Sequence, residues 1–348
     1  MKFVSRLCLA VLLSVVAGAT LAQTQTQDER VKEQQQRAVT QPGNNAPVWR
    51  EVRSGQSPYT NSTVQGRETS VLVQSWGETW RQIRNGPVTF YGGWLVVLVL
   101  LAILAFYFTF GPVKLHERPS GRLIRRFSTV DQVVHWTVAI SFSVLGISGL
   151  IMFFGKHVLL PIIGYTLFAW LTALSKNLHN FIAPLFIVSV IAMVLLFVRH
   201  NLPKSYDFQF LANAWKVMAR GKHVPSGKFN AGEKVWFWGG VVVLSVIVIW
   251  SGVILLFPNF DQTRAVMQEA WIWHACAALL YVAIAFGHIY LGTIGLDGSY
   301  QAMRSGYVDE VWAKEHHEIW YNEVKSGRHP EAAGGAVPAG APHMKEKS

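Results

Sequence analysis

The sequence predicts an all-α integral membrane protein, a bundle of four core transmembrane helices plus one extra N-terminal transmembrane helix. Three observations predict it. Five runs free of Asp, Glu, Lys and Arg each reach about 20 residues, the length that crosses a hydrocarbon core. Apolar residues make up 51% of the 348 and charged residues only 15%, against about 25% charged in a soluble domain. The basic residues, finally, gather in alternate loops, as they do beside a membrane.

Taken in order, residues 1–22 read as a signal peptide: Lys2 and Arg6 give a charged start, Leu7 to Ala17 an apolar stretch, Thr20 and Ala22 small residues before a cut. An uncleaved anchor is the alternative, but the apolar run is short for a span. Residues 23–88, rich in Gln, Thr, Asn, Ser and Gly, form an exported polar extension. Residues 89–110 supply the extra transmembrane helix. Residues 111–325 hold the four-helix domain and a cytoplasmic tail, with spans near 132–154, 178–198, 235–257 and 271–292. Val158 to Ser175 is also apolar, but Pro161 and Gly164 interrupt its first turns, so it is read as lying at the membrane surface. Residues 326–348, rich in Ala, Gly, Pro and Lys, are read as a disordered tail, and His316 and His317 as solvated residues just before it.

Loop charges set the orientation. Residues 111–130 and 199–234 carry twelve Lys and Arg, while the other two connections hold only Lys156, Lys176 and Arg264. Twelve against three places the first two loops and the C-terminus in the cytoplasm and the mature N-terminus outside a bacterial inner membrane. Arg81 and Arg84, on the exported side, run against the pattern.

Composition also excludes chemistry. Of two cysteines, Cys8 lies in the leader and Cys276 remains, so there is no internal disulfide and no four-cysteine iron–sulfur site. No Cys-x-x-Cys-His attaches a c-type haem. No Gly-rich nucleotide loop or nucleophile–base pair appears, so this chain carries no substrate-oxidising site. The formal charge of +11 has no basic stripe interleaved with aromatics, which argues against nucleic acid.

Twelve histidines remain. Four of them, His135, His179, His274 and His288, lie within the predicted spans, where an ionisable side chain is costly and marks a functional candidate. Any one alone could be an interhelical hydrogen bond. Their placement says more: His274 and His288 share the last span, 14 residues apart, which is roughly 21 Å along a helix and nearly one face. Topology then gives His274 a partner in His179 at the exported side and gives His288 a partner in His135 at the cytoplasmic side. Two histidines from two helices in each leaflet suit two six-coordinate haems, non-covalent haem b, clamped between spans. His200 competes with His135 and His157 with His179, but both sit in wet, charged settings. Zinc would need further ligands that no Asp, Glu or Cys cluster supplies.

Two haems relay electrons and need a donor and an acceptor. A lipid-soluble quinone is the acceptor this arrangement suits, and the polar segment before the fourth core run offers a site: Asn230 to donate to a carbonyl, Gly232 to let backbone approach a ring, Glu233 to relay protons. Asn230 and Glu233 also spell an ordinary capping box, and both roles can coexist.

The residues resemble a known family, the cytochrome b (gamma) subunit of membrane-bound formate dehydrogenase. The matching words are Val134-His135-Trp136-Thr137, Leu178-His179, Lys228-Phe229-Asn230-Ala231-Gly232, His274-Ala275, His288-Ile289-Tyr290, Trp312-Ala313-Lys314-Glu315-His316-His317 and Trp320-Tyr321. The resemblance runs from about 120 to 325. It implies a dihaem cytochrome b with His135 and His288 on the cytoplasmic haem, His179 and His274 on the exported one, and a menaquinone or ubiquinone pocket of Asn230, Gly232 and His288. Glu233 stands where the family has glutamine. The resemblance also implies an iron–sulfur (beta) subunit and a molybdenum or tungsten catalytic (alpha) subunit as partners, assembled as a trimer of heterotrimers. The leader, extension and extra span depart from the family pattern. A hydrogenase or thiosulfate reductase cytochrome b would share this dihaem logic, whereas a haem-free anchor or transporter subunit would use the histidines for packing or proton relay.

Overall fold

The computed structural model describes residues 32, 36, 76–258, 260 and 262–328. The predicted signal peptide, most of the extension and the end of the tail lie outside them. The architecture below belongs to the unit built from Trp76–Phe260 and the chain from Ala265 onward.

Five helices are long and apolar enough to cross a membrane: α1 (Gly77–Phe110), α2 (Thr129–Val158), α3 (Leu160–Phe197), α5 (Ala231–Leu256) and α6 (Arg264–Tyr290, prolonged by a π-helical turn to Gly295). The chain is a multi-pass membrane protein. Between α3 and α5 runs a shorter amphipathic helix, α4 (Ser205–Arg220), and after α6 come α7 (Ser299–Ser305), α8 (Glu310–His316) and α9 (Glu318–Lys325). A two-stranded antiparallel ribbon pairs β1 (Leu123–Arg125) with β2 (Tyr307–Asp309), Leu123 opposite Asp309.

Local chemistry fixes where the helices begin. Ser128 and Asp131 close a capping box on α2, at 3.1 and 2.8 Å, which sets His135 in its second turn. Asn230 and Glu233 do the same for α5, at 3.0 and 2.8 Å. Inside the spans Ser141, Ser148 and Ser251 return their hydroxyls to carbonyls four residues back. Small buried residues of this kind let helix backbones approach without a lipid-exposed polar group.

Two boundaries differ from expectation. Val158–Ser175 is not set apart from the span that follows it: α3 starts at Leu160, is kinked at a non-helical Gly164 (φ 74°, ψ 172°), and then continues through to Phe197. Pro161 sits in the first turn, where its missing N–H costs nothing, and Lys176 alone does not stop a helix. Beyond the kink at Gly164 the helix over 165–197 extends about 50 Å, well beyond a hydrocarbon core of about 30 Å, so one end reaches past that core. Helix α1 likewise starts twelve residues before 89. Its extra turns explain the outlying arginines: Arg81 pairs with Glu78 at 2.7 Å, and the Arg84 guanidinium lies over the Trp80 and Trp271 rings at 5.3 and 5.0 Å. Further along, Phe106 and Tyr107 meet Tyr290 edge-on, joining α1 to α6.

The segment after α6 is a packed core rather than a solvated tail. Trp312 and Trp320 are fully buried and His317 is 1% exposed. The buried Asp309 carboxylate accepts from the backbone N–H of Ser120, Gly121 and Val311 at 3.1, 2.8 and 2.8 Å, locking the ribbon. His316 and His317, expected in water, pack on the Trp312 ring at 5.2 and 5.0 Å. The aromatic residues of α8 and α9 outweigh their charges once the ribbon holds the chain in place.

Candidate functional site

The four span histidines meet in two pairs. His179 of α3 faces His274 of α6 with ring centres 6.1 Å apart, and His135 of α2 faces His288 of α6 at 6.3 Å. Imidazole–metal bonds of about 2 Å place two rings on opposite sides of one metal with centres about 6 Å apart. Both pairs have that spacing. His157 lies exposed near the end of α2 and His200 in the turn that closes α3, on the side of the loop.

The His179–His274 pair is seated by a repeated device. Ser148-Gly149 on α2 receives His179, and Ser251-Gly252 on α5 receives His274. Ser148 Oγ donates to the Val144 carbonyl at 2.7 Å, so its oxygen accepts from His179 Nδ1 at 2.9 Å. Ser251 Oγ donates to the Ile247 carbonyl at 2.6 Å, and His274 Nδ1 donates to the Val248 carbonyl at 3.0 Å with Ser251 Oγ at 3.2 Å. A Cβ on Gly252 would lie 3.1 Å from the His274 ring and one on Gly149 3.5 Å from the His179 ring. With Nδ1–H committed on both rings, each Nε2 keeps its lone pair, which is the metal-binding form of histidine.

The second pair is held differently. The Trp236 indole of α5 stacks on His288 at 4.8 Å and 13°, and His135 Nδ1 is buried without a hydrogen-bond partner among the described residues. Buried polar atoms are nearly always satisfied; here, unlike at the other pair, no acceptor among the described residues orients the ring through Nδ1. Among the described residues no group of three or more His, Cys, Asp or Glu converges on a point. Isolated pairs of neutral imidazoles therefore fit a metal whose other ligands come with it, as in a haem, and do not fit a protein-ligated zinc.

Between the pairs, Tyr281 sits on α6 midway from His274 to His288. Its ring packs on Phe142 at 4.6 Å, Phe142 meets Phe186 at 6.2 Å, and the Tyr281 hydroxyl shares a 3.0 Å hydrogen bond with Ser245.

Asn230, Gly232 and Glu233 are placed at the start of α5 by their capping box. No hydrogen bond among the described residues joins them to His288; Trp236, one turn after Gly232, makes that link. Glu233 is engaged further, accepting from Arg126 at 3.1 Å and lying 4.0 Å from His317 Nε2. Arg126 is itself buried, donates to the Lys228 carbonyl at 2.7 Å, and spreads its guanidinium over Phe127, Phe229 and Trp312. Burial, reinforced by the Arg126 charge, holds His317 well below the usual histidine range. His316 is pulled down to about 4, chiefly by burial.

Sequence reasoning missed Arg126, Trp236, Ser148 and Ser251. The repeated Ser-Gly step in two spans was a usable signal for the last two. Nothing in composition distinguishes Trp236 from the neighbouring aromatics.

A helical membrane bundle with paired histidines at two depths defines a class, the membrane-embedded b-type cytochromes. Residues 126–306 match the profile of the prokaryotic cytochrome b561 family, and the chain belongs to that family. Individual relatives narrow the likeness. The cytochrome b556(Fdn) subunit of the nitrate-inducible formate dehydrogenase of Escherichia coli (strain K12) is 30% identical over 215 residues, covering 59% of this chain and 93% of the relative. The cytochrome b556(fdo) subunit of formate dehydrogenase from the same organism is 30% identical over 205 residues, covering 58% and 93%. The formate dehydrogenase cytochrome b556 subunit of Haemophilus influenzae is 27% identical over 220 residues, covering 60% and 87%. The family match opens at Arg126, after α1, so the extra span lies outside it.

Proposed function

We propose that this chain is the dihaem, quinone-reducing cytochrome b subunit of a formate dehydrogenase complex. One observation carries the reading: two histidine pairs with ring centres 6.1 and 6.3 Å apart, 14 residues apart on α6. His179 with His274 and His135 with His288 are the ligand sets, one near the exported face and one near the cytoplasmic face. Haem b, bound there, supplies one-electron carriers at two depths. The chain's own side chains hold the ring planes, commit each Nδ1 at the outer site to an oxygen, and keep water out with the Phe142–Phe186–Tyr281 layer.

Electrons enter from an iron–sulfur partner, itself fed by a molybdenum or tungsten subunit that oxidises formate. They leave to menaquinone or ubiquinone beside the inner pair, with Asn230 and Gly232 at the quinone and Glu233 relaying protons. Trp236 supports this placement, since it connects the Gly232 turn to His288. Reduction of a quinone takes two electrons and two protons, and Glu233, between Arg126 and His317, lies at the basic-loop end where protons would be drawn from the cytoplasm. Electrons crossing inward then build membrane potential.

His274→Ala tests the reading. It should halve the haem b content, abolish quinone reduction and leave dye-linked formate oxidation intact; a full haem complement in the variant would refute the ligand assignment.

A further inference from the structure

The two histidine pairs differ in what their Nδ1 atoms touch. At His179 and His274 each Nδ1 meets a serine oxygen, at 2.9 and 3.2 Å, and each ring also meets a backbone carbonyl, that of Leu145 for His179 and that of Val248, at 3.0 Å, for His274. Both serine hydroxyls spend their own hydrogens on carbonyls of their helix, so towards the imidazoles they only accept. Among the described residues His135 Nδ1 meets no acceptor, and the ring of His288 is held by the Trp236 stack.

An imidazole whose Nδ1–H donates to oxygen is a more basic ligand at Nε2. A more basic axial ligand favours the oxidised metal, and hydrogen bonding behind the ligand is one of the protein's levers on haem potential. Resting on the ligand assignment proposed above, we infer that Ser148 and Ser251 are positioning residues that hold the His179–His274 site at a lower reduction potential than the His135–His288 site. The two sites then form a downhill step for electrons moving from α3–α6 towards the Trp236 side, and the step is written in two Ser-Gly seats on successive helical hairpins.

Potentiometric titration of haem absorbance in membranes containing the whole complex reads this directly as two one-electron waves. Each serine-to-alanine change leaves a backbone carbonyl near the ring, so the double variant S148A/S251A is the sharper probe. It should raise the lower wave by about threefold in equilibrium constant, about 28 mV for one electron, and leave the upper wave in place. S148T/S251T, which keeps both hydroxyls, should restore the wild-type position. His135→Ala should leave only the lower wave. The inference is overturned if the double variant retains both haems with neither wave moved, if the upper wave moves instead, or if His135→Ala keeps the upper wave. Two haems retained in His135→Ala would count against the ligand assignment itself.

Discussion

Replacing Lys234 by alanine removes the cation from a buried ion pair and leaves its partner stranded. Lys234 Nζ lies 2.7 and 3.0 Å from the two carboxylate oxygens of Asp207, and the side chains are only 7% and 10% exposed. The pair ties the first turn of α4 to the first turn of α5, beside the Asn230–Glu233 capping box. Breaking a buried pair from one side costs about 3–5 kcal/mol, because the remaining charge stays desolvated. That corresponds to roughly two to three and a half powers of ten in the population of the opened segment. Hydrogen exchange on the solubilised complex should show α4 amides and the start of α5 exchanging faster by that factor, with α2 and α6 unchanged. The variant D207L/K234M, which replaces both charges with apolar volume, should recover most of the loss; a residue of about 1 kcal/mol remains because Asp207 also caps the Lys204 N–H at 2.6 Å. Equal exchange in wild type and Lys234→Ala, or equal damage in single and double variants, would refute the reasoning.

Three further outcomes are expected. Trp236→Leu removes the stack on His288, so the low-spin ferric EPR signal of one haem should broaden while the other holds its line shape, and Trp236→Phe should keep both sharp. Asn230→Ala loses the bond to the Glu233 N–H and should cost about 1 kcal/mol of helix-start stability, seen as a higher KM for quinone with dye-linked activity unchanged. For pH, His316 and His317 are neutral in the folded protein, with Arg126, Glu233 and Glu315 as their charged neighbours. Their folded pKa values lie below the unfolded value near 6.5, so the unfolded chain binds more protons and stability falls as pH drops below about 6.5. For His316 the loss levels off near its folded value of about 4 and reaches roughly 3 kcal/mol. Protease sensitivity of α8 and α9 should therefore rise between pH 6.5 and 4.5, before the Glu310 carboxylate, held down to about 2 by Tyr321 and Lys325, begins to protonate.

The spans were legible because burying twenty apolar residues in lipid leaves few alternatives to a helix. Their ends were less so. A Gly-Pro interruption at 161–164 reads as a break in the chain's composition, yet Gly164 turns the backbone once and the helix resumes. The pairing of the histidines followed from counting residues along α6 and from loop charge, which together name each facing partner. What could not be read was contact across helices: that the Val248 carbonyl meets His274, or that Gly240, whose Cβ would fall 2.5 Å from the indole, leaves room for Trp236. The packed core after α6 was misread because its charged residues dominate the local composition, whereas Trp312, Trp320 and a three-residue strand decide its burial. Strands that short carry no readable alternation.

Seven-residue spacing organises the bundle interior. From Gly149, His179, Gly252 and His274, a step of seven towards the opposite end lands on Phe142, Phe186, Ser245 and Tyr281. Contacts already described join those four: Phe142 to Tyr281, Phe142 to Phe186, Ser245 to Tyr281. A further step of seven reaches His135 on α2 and His288 on α6. Each heptad drifts only about 20° around a helix, so three layers stack on one face, histidines above and below an aromatic layer about 10 Å from each. The layer's two hydroxyls share one hydrogen bond, and its other two side chains are hydrocarbon. Protons move along chains of exchangeable groups, whereas electrons tunnel through packed atoms. A middle layer of packed aromatic rings is the kind of interior that the electron relay proposed above would use.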